Sequence, residues 1–426
     1  MRKLGRPIFG QMCSLNLFKI IYLKTMFEAI FYKLSTYFQL AFCSLSTLSC
    51  ASAAEPPSAL SLNLPAGFEI SIFAKLEAMP RMLAFDKNGN LFATLAEKNQ
   101  VVMLPDTNKD GLAEVPILVS DALNAPNGLV FVGDDLLVAN QDGVVKLTRD
   151  KSKWSAAQPF ISGLPSGGHT FKTIKLGPDK HLYLNVGSSC NVCIEQDPLR
   201  ATMLRYTLEG KAAGALETLG RHTPNPTWAR GLRNSQGFAW HPKTGAMFAT
   251  NNGADMRSDK KGGKANDELP PEHLNKIEPG QHYGWPHCWG DTKNLKNMVE
   301  DPNFVGEAGF CQTTTPPTIT FDSHSTPIGM TFLDKTNFPA EYQNDAIVAL
   351  HGSWNRKQLS GYKLVRVKFN EDRPTQVLDF ATGWLNNNNE AWGRPVDVIA
   401  GPDGALYVSD DRTGYIYRIS YKEKNK

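Results

Sequence analysis

At 426 residues the chain has room for one to three domains, and with 20% charged residues its composition is that of an ordinary globular protein, with enough glycine and proline to require many turns and to favour an all-β chain. The formal charge of +3 comes from the first part of the chain, because residues 1–53 hold six Lys or Arg and one acid, and without them the charge is −2. A near-neutral remainder argues against nucleic-acid binding.

In chain order, the first feature is the uncharged run Leu34 to Cys50 after Lys33, followed by Ala51-Ser52-Ala53-Ala54. It reads as the h-region and small-residue cleavage site of a secretory signal. Residues 1 to 25 are basic and poorly patterned, so Met26 is a candidate start that would leave a signal of ordinary length. An uncleaved transmembrane anchor is the alternative for Leu34 to Cys50; a lipid anchor on Cys50 is a weaker one. The expectation is a periplasmic or secreted protein, not anchored to the membrane after cleavage. It keeps four cysteines, Cys190, Cys193, Cys288 and Cys311, which in an exported chain fit two disulfides, most simply 190 to 193 and 288 to 311. A haem attachment or a redox pair is the alternative for Cys190 and Cys193, but Ile194 stands where c-type haem attachment through Cys-x-x-Cys needs histidine, so haem is excluded there.

From Phe68 to Phe73 an alternating strand appears, and then a unit recurs: an apolar strand, a turn rich in Gly, Pro, Asp or Asn, and a second strand rich in Leu, Phe, Tyr and Val. The first strands of the copies are Met82 to Phe85, Gly128 to Phe131, Ile174 to Leu176, Gly237 to Trp240, Gly329 to Phe332 and Asp397 to Ala400. Repeated strands and turns without helical patterning predict an all-β fold, a six-bladed β-propeller occupying residues 54–426 as one domain. A β-sandwich is the alternative, but two sheets do not account for a repeat carried along the whole chain. A long loop insertion is expected at about 251–318, interrupting the fourth unit.

In a propeller the first strand of each blade lines the central channel, so residues just before those strands gather at one mouth. Here they are Arg81, Asn127, His169, Arg233, Asn234, Thr326 and Arg394. Arginines, amides and a histidine at equivalent places predict a cationic mouth suited to a polyanionic small molecule. His169, set after Gly167-Gly168, is the candidate base.

Asp106-Thr107-Asn108-Lys109-Asp110-Gly111 opens like a calcium loop, but Ile117 stands where an EF-hand needs glutamate, so a tight turn is expected. His282, His287 and Cys288 lack a fourth zinc ligand. His241, His273, His324 and His351 are expected to be structural or exposed. There is no dinucleotide fingerprint, phosphate loop, Gly-x-Ser-x-Gly elbow or His-Glu-x-x-His helix.

The chain resembles the soluble quinoprotein glucose and sorbosone dehydrogenase family, through His169 with the Gly177-Pro178-Asp179 turn, Gly231-Leu232-Arg233-Asn234-Ser235-Gln236-Gly237, Asn252-Gly253-Ala254-Asp255, Asp267-Glu268-Leu269, Tyr283-Gly284-Trp285-Pro286 and Gly393-Arg394-Pro395-Val396-Asp397-Val398. Gly187 to Cys193 and His351 to Arg356 are most similar to the sorbosone-dehydrogenase-like branch, which includes aldose sugar dehydrogenases. The resemblance implies a six-bladed propeller holding pyrroloquinoline quinone (PQQ) and calcium, which oxidises a sugar or polyol hydroxyl by hydride transfer to the quinone. It further implies His169 as general base, Asn127, Arg233, Asn234, Arg356 and Arg394 as cofactor contacts, and the carbonyls of Gly253 and Ala254 as calcium ligands.

The chain departs from the glucose dehydrogenases at Ser188, where they carry an aspartate that orients the histidine, and at Gly168, where they carry an acid. Without a haem motif, electrons are expected to leave to an external acceptor such as a cytochrome, quinone or dye; a homodimer is left open. The competing functions are a calcium-dependent hydrolase or lactonase, which calls for acids and amides around a central metal, and a propeller that binds ligands without catalysis.

Overall fold

The short apolar runs and their turns fold as antiparallel strands in the computed structural model, which describes residues 62–422 apart from 152, 217 and 220–222. The segment read as a secretory signal, with Met26 and Cys50, lies outside the described residues.

Six four-stranded sheets form the blades of a propeller. Their first strands are Pro80–Phe85, Leu129–Val132, Ile174–Leu176, Phe238–Trp240, Pro327–Phe332 and Pro395–Ala400. Those of blades 1, 2 and 3 adjoin in turn, as do those of blades 4, 5, 6 and 1, so they surround the central axis. Each second strand is sandwiched between neighbouring blades, which is why Leu91–Leu95, Leu182–Val186 and Ala346–Leu350 are buried at every residue and read as runs, not alternations. The turns between first and second strands owe their shape to side chains. In Asp86-Lys87-Asn88-Gly89, Asp86 Oδ1 accepts from the backbone N–H groups of Asn88 and Asn90, each at 2.9 Å, while Gly89 takes φ 86°.

The ring closes by lending the last blade a strand from the start of the domain. Phe68–Lys75 pairs with Tyr415–Tyr421 from Phe68 opposite Tyr421 to Lys75 opposite Tyr415, which removes the open edge. Phe68 anchors this closure, with its ring edge-on to Phe338, Tyr342, Phe380 and Tyr421 at centroid distances of 4.7 to 5.1 Å. Phe68→Ala is therefore expected to lower unfolding free energy by about 3–5 kcal/mol, measured by urea denaturation; an unchanged midpoint would contradict this role for the closure.

The expected insertion at about 251–318 is partly a blade. Glu272–Ile277 pairs with Met247–Asn251 as the third strand of blade 4, and Ile319–Phe321 is its fourth. Polar residues concealed the third strand in the sequence, because His273 and Asn275 are buried where an apolar residue is expected. The remaining long loop carries a hairpin of Cys288–Gly290 and Met298–Glu300 and is pinned by the Cys288–Cys311 disulfide; Cys190–Cys193 is also formed. The Asp106 turn closes on itself, Asp106 accepting from the N–H groups of Asp110 and Gly111, each at 3.1 Å. Among the described residues no helix is long and apolar enough to cross a membrane.

Candidate active site

The residues that enter the first strands meet at one end of the channel. Arg81, His169, Arg233, Asn234, Thr326 and Arg394 line a cavity of about 260 Å³, with Phe171, Gln236, Gly253 and Glu272 among its other walls. Two of the expected contacts are not among its lining residues. Asn127 is fully buried, its amide taken up by Arg81 Nε at 3.2 Å and by the Lys172 carbonyl at 3.2 Å. Arg356 pairs with Glu268 and donates to the Ser323 carbonyl. Position just before a strand specifies the end of the channel but not the depth of the side chain, and Asn127 supports Arg81 from behind.

His169 owes its place to two glycines. Gly168 takes φ +61°, and a Cβ there would lie 2.5 Å from the Ser188 carbonyl oxygen; a Cβ on Gly187 would lie 2.5 Å from the His169 Cβ. A side chain at position 168, such as the acid of the glucose dehydrogenases, has no room in this loop.

The Nδ1 atom of His169 lies 3.2 Å from the Ser188 carbonyl oxygen and 2.9 Å from Ser188 Oγ. A carbonyl can only accept, and the single Ser188 hydroxyl proton is donated to the Cys190 carbonyl at 2.7 Å. Nδ1 therefore carries the imidazole proton and Nε2 keeps its lone pair, with no hydrogen-bond partner among the described residues. Ser188 thus orients the histidine without adding a charge. Burial, and next the Arg233 guanidinium, lower the His169 pKa from 6.5 to about 4, against the opposing hydrogen bond that the ring donates to the Ser188 carbonyl and the charge of Asp255. At neutral pH the imidazole is an uncharged base.

The cationic mouth expected from the sequence is largely compensated. Arg81 pairs with Asp411 at 2.7 Å, and Arg233 with Asp255 at 2.9 Å. Burial alone would raise the Asp411 carboxyl, but His351, at 2.8 Å, and Arg81 outweigh it and hold the carboxyl well below its ordinary range. Arg394 differs: among the described residues its guanidinium donates only to the carbonyls of His351 and Gly352, at 3.3 and 2.9 Å, and has no carboxylate partner, which leaves donors and positive charge for a ligand.

The cavity also holds unused oxygen acceptors. Asn234 Oδ1, Asn252 Oδ1 and Asn355 Oδ1 are buried without a hydrogen-bond partner among the described residues, and all three residues line the cavity. Beside them the Glu272 carboxylate accepts from the Gly253 N–H at 2.5 Å, and burial pushes its pKa up to about 7. Ala254 is buried and is not among the lining residues. Unpaired amide oxygens and a carboxylate make a hard-donor set suited to calcium.

Sequence reasoning missed Glu272, because its strand was hidden inside the apparent insertion and the nearby Asp267-Glu268 drew attention away. It also missed His324 and His351, expected to be structural or exposed but lining the cavity. A visible signal was their place at the ends of the turns around the blade 5 strands, His324 two residues before Thr326 and His351 directly after Leu350.

Comparisons with known proteins bear on the family and the fold. A family model described as TrAA12-like matches residues 62–422. Across 92% of this chain and 98% of the other, the sequence is 27% identical to an uncharacterized Borreliella burgdorferi protein. It is 23% identical to the pyrroloquinoline quinone-dependent pyranose dehydrogenase of Coprinopsis cinerea, over 88% of this chain but 56% of that protein, so this chain spans little more than half its length. Similarity to the aldose sugar dehydrogenase YliI of Escherichia coli is 25% identity over 68% of this chain and 71% of that one. The fold is shared with a Trichoderma reesei protein of carbohydrate-active enzyme family AA12, at TM-score 0.71 and 20% identity over 85% of this chain and 98% of the other. It is shared equally with the PQQ domain of the Coprinopsis cinerea pyranose dehydrogenase in its holo form, at TM-score 0.70 and 20% identity over the same shares.

Proposed function

This chain belongs to the TrAA12-like family, and from that premise we propose that it is a PQQ- and calcium-dependent dehydrogenase that oxidises a hydroxyl group of a sugar or polyol. The observation that carries the proposal is the presence in one cavity of an uncharged His169 with a free Nε2, an Arg394 with unused donors, and buried oxygen acceptors lacking partners. The relatives named as pyranose and aldose sugar dehydrogenases support the substrate class.

When bound, PQQ supplies a two-electron acceptor and calcium a Lewis acid. Arg394, with Arg233 and Asn234, would hold the anionic cofactor, and the Gly253 turn with Glu272 and Asn252 would hold the cation. His169 Nε2 takes the hydroxyl proton of the substrate while Ser188 keeps Nδ1 protonated and the ring in place. Electrons then pass to an external acceptor. The two disulfides support an exported protein. A metal hydrolase would also use Asn234, Asn252 and Glu272, but it leaves the uncompensated Arg394 of the same cavity without a role.

The test is reconstitution of the protein with PQQ and calcium, followed by dye reduction across a panel of aldoses and polyols. Failure to bind PQQ would remove this function. Protonation of His169 disables the base, so kcat/KM is expected to rise with pH through a pKa near about 4, lowered from 6.5, and to stay level above it. An acidic limb centred at the ordinary histidine value would show that the base is solvated or is another group.

A further inference from the structure

We propose that the four-residue Cys190–Cys193 loop is the positioning element of this site, setting the orientation of both His169 and Arg233 through the Cys190 carbonyl and Asn191; the proposal rests on the quinoprotein reading above. Two hydrogen-bond chains end on this loop. One runs from His169 Nδ1 to Ser188 Oγ and from that hydroxyl to the Cys190 carbonyl, at 2.9 and 2.7 Å. That carbonyl takes the hydroxyl proton and turns the Ser188 Oγ lone pairs toward the imidazole, so Cys190 reinforces the Nδ1–H tautomer that the Ser188 carbonyl also favours.

The other chain starts at Asn191. Its carbonyl accepts from Arg233 Nε and from Trp285 Nε1, both at 3.1 Å. Its Oδ1 accepts from the Arg233 guanidinium at 2.9 Å and from the Asp255 N–H at 2.7 Å, and its Nδ2 donates to the Asp255 carbonyl at 2.9 Å. One exposed asparagine thus fixes the arginine, its aspartate partner and, through Asp255, the turn that carries Gly253. Exposed residues seldom hold so many bonds unless their backbone is restrained, and the bridge on either side supplies that restraint.

The spacing of the bridge agrees with a local role. In the loop-closure account a disulfide stabilises a fold more as it spans more residues. Cys190–Cys193 has a sequence separation of 3, against 23 for Cys288–Cys311, so its main effect falls on the residues between its own cysteines.

The test compares wild type, Asn191→Ala, Asn191→Asp and the Cys190→Ser/Cys193→Ser double variant. In the apo proteins, histidine-selective ¹⁵N NMR reads the tautomer of His169. In the calcium-loaded proteins, fluorescence titration reads PQQ affinity, and dye reduction gives kcat and KM separately. Wild type is expected in the Nδ1–H form, with the double variant populating the Nε2–H form. Asn191→Ala is expected to weaken PQQ binding by about tenfold, since it removes bonds to a charged group, and Asn191→Asp to restore most of that loss because its carboxylate still accepts from Arg233. The effect falls on cofactor affinity and kcat more than on KM. Wild-type affinity, turnover and tautomer in both Asn191→Ala and the double variant would overturn the proposal. If the double variant does not fold, the two Asn191 variants decide alone: equal, wild-type affinities in both would overturn it. Failure of wild type itself to bind PQQ would overturn the quinoprotein reading, while a tautomer change in the apo double variant would still uphold the effect of the loop on His169.

Discussion

Replacing His169 with alanine is expected to lower kcat of the PQQ- and calcium-loaded protein by about 10²–10⁴-fold, the usual contribution of a positioned base, with PQQ affinity little changed. The imidazole reaches the cavity from a loop shaped by Gly168, and its Nδ1 is occupied by Ser188, so the one function left open to the ring is at Nε2. The size of the loss follows from the absence of a replacement. His324 and His351 line the same cavity, but His351 Nε2 is bonded to Asp411 at 2.8 Å, and His324 faces Asp255 at 3.7 Å. Steady-state dye reduction at matched cofactor loading checks this, with His169→Gln as a second variant that retains some of the ring's volume. A variant with wild-type kcat would remove His169 from the chemistry while leaving the cofactor site intact.

Arg233→Met is expected to affect stability and cofactor binding together. Arg233 is buried and paired with Asp255, and removing one partner of a buried pair typically costs about 3–5 kcal/mol because the other charge is left uncompensated. Asn355 Nδ2, at 2.8 Å from Asp255, softens the loss but brings no charge. Arg233→Lys keeps the charge but cannot reach Asn191 and Asp255 at once, as the planar guanidinium does. Urea unfolding of the apo protein measures the first effect, and PQQ titration in the presence of calcium the second. Full stability in Arg233→Met would mean that Asp255 is solvated, contrary to its place beside the cavity.

Much of the fold could be read from sequence because a propeller repeats one local problem six times. Asp86-Lys87-Asn88-Gly89 and Gly401-Pro402-Asp403-Gly404 mark the turns through side-chain caps and left-handed glycines, and the apolar runs after them are second strands buried on both faces. Blade 4 was harder to read because its third strand buries Glu272, His273 and Asn275, and the first two take their partners, Gly253 and Gly290, from the loops on either side, which no alternation within the strand announces. The end of the channel at which the site lies was legible for the same reason as the blades: residues preceding equivalent strands share one rim. Depth was not legible, as Asn127 demonstrates.

The sequence by itself determined the six-bladed ring, the two disulfides and the position of His169 at the channel mouth, since each depends on patterns a few residues long or on the small set of cysteines available. Only the tertiary structure decided which charges remain free. Arg81 is neutralised by Asp411, 330 residues away, and His169 is oriented by Ser188 and Cys190 from a different loop, whereas Arg394 has no carboxylate partner among the described residues. Electrostatic compensation and hydrogen-bond direction act through space over a few ångströms, and closure of the ring is what brings such distant residues within that range.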